Sequence, residues 1–202
     1  GHHRHLGRAH LARHRKKGAR DGAWICFEDE SGTSLTGAVE RTWAPAGQTP
    51  TLHVVKGTQT KLSVAALCCY RPGHRSRMLY RTRPGWYRDR DLIALLDQAH
   101  QELAAPVLLV WDNLAGHRSR RMRRAIAARS WLEVEYLPAY APELNPAEGI
   151  WAHLRATALA NLAALSFGEL ATAVRGGLRR VQRRPELVAA FLAHAGLQLR
   201  TQ

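Results

Sequence analysis

The chain has 202 residues, of which 46% are hydrophobic, and it carries a formal net charge of +14 with a pI of about 10.9. This length suits one domain with a sizeable core, and the excess of basic residues, mostly arginine, indicates a polyanionic partner. Three cysteines are too few for a disulfide framework, and no apolar stretch approaches the ~18 residues of a membrane span. These features exclude a disulfide scaffold and a membrane protein, and we expect a cytoplasmic protein with reduced thiols.

Residues 1–22 are polar, basic and rich in histidine. A metal-binding tract is one interpretation of the histidines, but the lack of an apolar period favours a frayed helical linker. We therefore predict a basic, histidine-rich linker over residues 1–22 and a single folded domain over residues 23–202.

The remaining chain alternates strand-like and helix-like segments. Strands are predicted at Trp24–Asp29, Thr36–Trp43, Leu52–Val55, Lys61–Tyr70, Arg77–Arg81, Val107–Val110 and Leu132–Leu137, with a turn at Ser31–Ser34. Helices are predicted at Asp89–Ala104, Ser119–Arg129, Phe167–Arg183 and Pro185–His194, and one more begins near Glu148. This order predicts an α/β fold, a mixed sheet with helices on its faces.

Two acidic residues occupy positions that can build a site. The apolar run Val107–Val110 leads to Asp112, and a buried strand that presents a carboxylate at its C-terminal end is typical of α/β sites. Farther along, Asn145 can cap a helix with Pro146 at its first position and Glu148 at its third. Because this pattern is close to a capping box, Glu148 is either a structural cap or a functional acid. Asp112 has a similar alternative, since it could simply begin a turn.

A third acidic group follows the first predicted strand, in the run Glu28-Asp29-Glu30. Side chains alternate along a strand, so Asp29 points to one face whereas Glu28 and Glu30 point to the other. Adjacent acids are costly unless water, a cation or a basic partner neutralises them. A solvated acidic turn is one interpretation, and convergence of Asp29, Asp112 and Glu148 on divalent metal is the other.

Four segments, in this order and at this spacing, resemble the DDE catalytic domain of insertion-sequence transposases of the IS630 and Tc1/mariner superfamily. They are Phe27–Gly32, Arg41–Gln48, Trp111–Asn113 with His117, and Leu137–Glu148. The resemblance extends from about residue 24 to residue 197 and implies a ribonuclease H-like fold, with helices on both faces of a mixed sheet. It also implies that Asp29, Asp112 and Glu148 are the catalytic acids and metal ligands, with Glu28, Glu30 and Glu143 as neighbours only.

The function that the resemblance implies is a DNA transposase. Such an enzyme cleaves phosphodiester bonds at transposon ends and joins the freed 3′-hydroxyl to target DNA. Two ions of Mg²⁺ or Mn²⁺, ~3.5–4 Å apart, can serve the attacking and the leaving oxygen, and carboxylates are the ligands that such ions prefer. The resemblance further implies a TA dinucleotide target and synapsis as a homodimer.

Two kinds of residue are predicted to support the acids. His117 could orient a ligand carboxylate, touch the scissile phosphate or cap the next helix, and Asn113 is grouped with it. Arginines crowd residues 118–124 and 179–184 more densely than an even compositional bias would place them. Such clusters usually bind phosphates, although a solvated helix face is the common alternative. The predicted DNA-binding residues are Arg118, Arg120, Arg121, Arg123 and Arg124.

Two other functions stay open. A ribonuclease H-like nuclease of the resolvase type would cut DNA with metal but would not join strands. A catalytically idle DNA-binding fragment is the second alternative, because the chain begins at Gly1 and nothing in it resembles the family's helix-turn-helix DNA-binding domains. The presence of all three acids argues against a decayed site, so we expect an enzyme whose activity in isolation stays an open question.

Overall fold

The centre of the fold is a five-stranded sheet with helices on both faces. The computed structural model describes residues 22–35, 44–47, 51, 61–138 and 141–199. The strands are β1 (Trp24–Ser34), β2 (Lys61–Tyr70), β3 (Arg77–Pro84), β4 (Val107–Trp111) and β5 (Leu132–Tyr136). The helices are α1 (Asp89–Leu103), α2 (Arg120–Ala127), α3 (Glu148–Ala156), α4 (Phe167–Gln182) and α5 (Pro185–His194). Short 3₁₀ turns occupy Ala115–Arg118 and Pro142–Leu144. None of these helices has the length and apolar character to cross a membrane.

The strand order is β3-β2-β1-β4-β5, which places β1 at the centre. β1 pairs antiparallel with β2 and parallel with β4, and β3 and β5 complete the two edges. All five residues of β4 are buried, as expected for a strand covered on both faces. The predicted mixed sheet is therefore confirmed.

Two hydrophobic cores lie on opposite faces of the sheet. Phe27 and Cys68 point toward α3, α4 and α5, whereas Cys26 and Cys69 point toward α1 and α2. Adjacent Cys68 and Cys69 thus face opposite ways, and all three cysteines are free thiols. The strict alternation along β1 and β2 supplies apolar side chains to both cores from the same strands.

The structure corrects two predicted boundaries. The turn predicted at Ser31–Ser34 is wrong, because β1 continues to Ser34, which pairs with Lys61 of β2. A long antiparallel partner satisfies the backbone of this segment, and this outweighs its local turn propensity. β3 likewise extends to Pro84 rather than Arg81. Residues 1–21 of the linker predicted at 1–22, the strand predicted at 36–43 and the extended piece predicted at 52–55 lie outside the described residues.

Helix α3 packs against α4 through a glycine. A Cβ atom placed on Gly177 would lie 2.5 Å from Leu154 Cδ2 and 2.8 Å from Ala158 Cβ. The neighbouring Gly176 has open space around the same position. The close approach of α3, which carries Glu148, therefore depends on the missing side chain at residue 177.

This packing predicts opposite effects for two adjacent substitutions. Gly177→Ala should lower the free energy of unfolding by about 1–3 kcal/mol, because the methyl group must displace α3. Gly176→Ala is the matched control and should raise it by about 0.5–1 kcal/mol, since alanine favours helix over glycine. Urea denaturation of both variants measures the difference, and equal effects would contradict the close α3–α4 contact.

Candidate active site

The three predicted acids meet at one cavity. Asp29 lies on β1, Asp112 directly follows β4, and Glu148 is the first residue of α3. β1 and β4 pair in parallel with Phe27 opposite Val110, and the same register continued by two residues sets Asp112 beside Asp29. Together with Glu148 these residues line a cavity of about 330 Å³. The fold therefore assembles acids from three separate segments of the chain.

The wall of this cavity suits a hard cation. Besides the acids it consists of uncharged residues: Asn113, Leu114, Leu137, Pro138, Ala141, Pro142 and Asn145. Within the described part of the chain, no Lys or Arg lines the cavity to neutralise the three carboxylates. Asp112 is paired with His117, which is not part of the cavity wall, whereas no basic residue of the described wall faces Asp29 or Glu148. Like charges without a basic partner are costly, and Mg²⁺ and Mn²⁺ favour carboxylate oxygens as ligands. The donor set therefore fits the predicted metal.

Glu148 is not held in a capping box. Its helix begins at Glu148 itself rather than at Pro146, and no side chain caps it. The Asn145 side chain instead accepts a hydrogen bond from the Ala147 N–H (3.1 Å) and donates one to the Glu28 carbonyl oxygen (2.9 Å). This second bond ties the start of α3 to β1. The capping alternative therefore does not form, and Glu148 lines the cavity.

Asp29 is fixed by an indole that the sequence analysis did not assign to the site. Trp151 Nε1 donates a hydrogen bond of 2.7 Å to Asp29 Oδ2. Burial raises the pKa of Asp29 from 3.8 to about 7; the Trp151 hydrogen bond opposes this rise and the charge of Glu148 adds to it. Trp151 lies three residues after Glu148, so helical spacing brings both toward the same side of α3. That spacing was the available signal.

His117 is the partner of Asp112. Its Nδ1 lies 2.6 Å from Asp112 Oδ1, which also accepts the Leu114 N–H at 3.2 Å. The ring is buried, stacks on Trp111 at 3.9 Å between centroids, and places Nε2 3.3 Å from Glu30 Oε2. Among the roles considered for His117, the structure shows the contact with a carboxylate. The cap of α2 is a different residue, Ser119.

The Asp112–His117 contact sets the charge of both groups. Partial burial would raise the pKa of Asp112, but the hydrogen bond and charge of His117 outweigh it and lower that pKa. Burial alone would lower the pKa of His117, but the hydrogen bonds to Asp112 and Glu30 raise it to about 10. In the metal-free protein His117 is therefore a cation at neutral pH.

The predicted DNA-binding arginines are exposed. They lie in the turn after Asp112 and on α2, where only Met122 is buried. Among the described residues none of them pairs with an acid, in contrast to Arg129, which binds Asp97 through two hydrogen bonds of 2.6 and 2.7 Å. Asn113 is exposed and lies on the cavity wall. The exposed set comprises Arg118, Arg120, Arg121, Arg123 and Arg124.

Comparisons with known proteins identify a family and a fold for the chain. The family model described as DDE superfamily endonuclease matches residues 24–171. Among solved structures, the Mos1 transposase paired-end complex with left transposon end is 19% identical with a TM-score of 0.58, covering 94% of this chain and 61% of that one. The crystal structure of the Mos1 mariner transposase catalytic domain is 18% identical with a TM-score of 0.50, covering 98% and 94%. A simian T-cell lymphotropic virus intasome is 12% identical with a TM-score of 0.52, covering 78% and 47%.

At these identities the structural likeness shows the fold. It confirms the ribonuclease H-like sheet, and together with the family match it confirms the resemblance to DDE transposase catalytic domains. The chain spans about three fifths of the length of the first Mos1 structure. No curated protein matches the chain.

The raised pKa of Asp29 predicts how pH affects the metal-free protein. Between its ordinary value of 3.8 and about 7, the folded protein keeps a proton that the unfolded chain releases, so stability falls as pH rises through this window. Asp29→Asn removes that loss. With a chelator present to remove metal, the free energy of unfolding of Asp29→Asn should exceed that of the unsubstituted protein by more at about pH 8 than at about pH 5. The two differences should themselves differ by about 2 kcal/mol. Urea denaturation at both pH values measures it, and a pH-independent difference would contradict the raised pKa.

Proposed function

The chain belongs to the DDE superfamily of endonucleases, and from this premise we propose that it is the catalytic domain of a DNA transposase of the IS630 and Tc1/mariner type. The proposal depends chiefly on one observation: Asp29, Asp112 and Glu148 line a single cavity whose described wall contains no basic residue. The Mos1 structures of similar fold include a paired-end complex with Mg, another with Mn and a strand transfer complex. By analogy, we assign DNA ends as substrate and Mg²⁺ or Mn²⁺ as the metal.

In this proposal Asp29, Asp112 and Glu148 hold two divalent ions. When bound, the ions activate the attacking water or 3′-hydroxyl and stabilise the leaving oxygen of the phosphodiester. The charges of the three acids suit this role, because carboxylates bind such ions in their ionised form.

The surrounding residues orient the acids before substrate arrives. Trp151 holds one oxygen of Asp29, and His117 with the Leu114 N–H holds one oxygen of Asp112. Each Asp therefore has one oxygen held by a neighbouring side chain. Preorganisation of this kind matters because small misplacements of a reacting group reduce the rate strongly.

The arginine cluster at residues 118–124 holds the DNA backbone in this proposal. These side chains are exposed, lack acidic partners in the described structure and follow Asp112 directly in the chain. Guanidinium groups bind phosphates in bidentate geometry, so the cluster can draw a phosphodiester toward the cavity, where Asn113 can donate to a phosphate oxygen. The enzyme would cleave at transposon ends and join the 3′-hydroxyl to target DNA. We further propose a homodimer during synapsis and a location in the cytoplasm with its DNA.

Three matched substitutions test the proposal. Asp112→Asn and Glu148→Gln keep the side-chain shape but remove a ligand charge, and each should reduce metal-dependent cleavage by on the order of 100-fold or more. Glu143→Gln changes an exposed acid near the cavity and should leave cleavage unchanged. The assay follows cleavage and joining on duplexes copied from the DNA that flanks the gene, and calorimetry follows Mn²⁺ binding to the same proteins.

Different failures of this test have different meanings. Mn²⁺ binding and cleavage that survive Asp112→Asn would contradict the carboxylate site. Cleavage without joining would instead indicate a nuclease of the resolvase type. A folded chain that binds DNA but no Mn²⁺ would indicate a catalytically idle fragment.

A further inference from the structure

Glu28 is a buried acid that the proposed reaction does not use. It lies on β1 next to Asp29 but points to the opposite face of the sheet. Its exposed fraction is 1%, and neither carboxyl oxygen has a hydrogen-bond partner among the described residues. A buried polar group left without a partner is destabilising by about 1–3 kcal/mol, and more when it is charged. Such a group implies a ligand or a functional reason for its position.

Two further ligand atoms lie close to the Glu28 carboxylate. One oxygen of Glu28, one of Glu30 and a ring nitrogen of His117 all lie within 4.8 Å of one another. His117 Nε2 and Glu30 Oε2 are separated by 3.3 Å. Two ligand atoms held about 2.0–2.1 Å from a tetrahedral ion lie about 3.3–3.4 Å apart. This pair therefore already has the spacing of two ligands on one metal ion.

The orientation of His117 also suits a metal ligand. Asp112 Oδ1 lies 2.6 Å from His117 Nδ1, which favours a proton on Nδ1. The lone pair of Nε2, which faces Glu28 and Glu30, is then available to bind a metal ion. Metal-bound histidines commonly donate their other ring N–H to a carboxylate in this way. The stack of His117 on Trp111 limits rotation of the ring. Asp112 and Trp111 therefore hold the imidazole in place, and neither belongs to the acidic pair that it faces.

We propose that Glu28, Glu30 and His117 form a second metal centre, for a divalent transition ion such as Zn²⁺, on the face of β1 opposite Asp29. A mixed set of one imidazole and two carboxylates suits Zn²⁺, whereas Mg²⁺ prefers oxygen ligands alone. Bound there, the ion gives the Glu28 carboxylate its missing partner. It also fixes His117, and through it Asp112, from the side of the sheet away from Glu148. The centre goes beyond the proposed transposase reaction and does not depend on it.

The test separates this centre from the acids of the cavity. All proteins carry Asn in place of His2, His3, His5, His10 and His14, because these histidines can bind Zn²⁺ by themselves. The parent for titration also carries Asp29→Asn and Glu148→Gln, which remove two ligands of the catalytic cavity. After removal of metal by a chelator, calorimetry with Zn²⁺ should show one ion bound per chain.

Two substitutions in this parent locate the ion. Glu28→Gln should weaken Zn²⁺ binding at least about tenfold, because it replaces a ligand carboxylate with a neutral amide of the same shape. Glu143→Gln, an exposed acid outside the cluster, should leave it unchanged. Thermal unfolding provides the second measurement. Without metal, Glu28→Gln should be at least as stable as the parent, and Zn²⁺ should stabilise the parent but not this variant.

Several results would overturn the second centre. They are absence of Zn²⁺ binding by the folded parent, equal binding by the parent and Glu28→Gln, and equal thermal stabilisation of both. Each would show that Glu28, Glu30 and His117 do not bind Zn²⁺ together. Since the parent lacks two acids of the cavity, none of these results bears on the proposed transposase activity.

Discussion

The parallel pairing of β1 with β4 is the constraint on which the site depends. It brings Asp29 and Asp112 to the same end of two paired strands, in a register that buried side chains on both strands enforce. The negative charge of Asp112 adds to the rise in the pKa of Asp29. His117 contacts Asp112, but the described cavity wall supplies no positive charge to Asp29 or Glu148.

The alternation of side chains along β1 divides the acids between two faces. Asp29 faces the cavity that includes Glu148, and Glu28 and Glu30 face His117 on the other side. Asp112 connects the two groups, because it lines the cavity while one of its oxygens contacts His117. A substitution of His117 should therefore affect the cavity by changing the orientation of the Asp112 carboxylate.

Much of the site could be predicted because its signals are local. An apolar run that ends in an acid indicates a strand end with a carboxylate, and this pattern identified Asp29 and Asp112. The name of the fold came from the family resemblance, since strand and helix order alone fits several α/β folds. Glu148 was ambiguous because capping and ligation use the same residue types at the same position.

The missed features depend on contacts between distant parts of the chain. The Asn145 side chain donates to Glu28 across 117 positions, and Trp151 donates to Asp29 across 122 positions. The Asn145 bond leaves no mark in the local sequence pattern, and the spacing of Trp151 from Glu148 places Trp151 on the correct side of α3 without identifying Asp29 as its partner. The turn predicted at Ser31–Ser34 failed for the same reason, because the partner that keeps this segment extended lies far along the chain in β2.

The most direct measurement is the anomalous scattering of Mn²⁺ in crystals of the protein. We expect density in the cavity within about 2.0–2.3 Å of carboxylate oxygens from Asp29, Asp112 and Glu148 together. Crystals of Asp112→Asn should lose that density while keeping the fold. An empty cavity at saturating Mn²⁺, or an ion bound there without Asp112, would contradict the central claim that the three acids form one metal site.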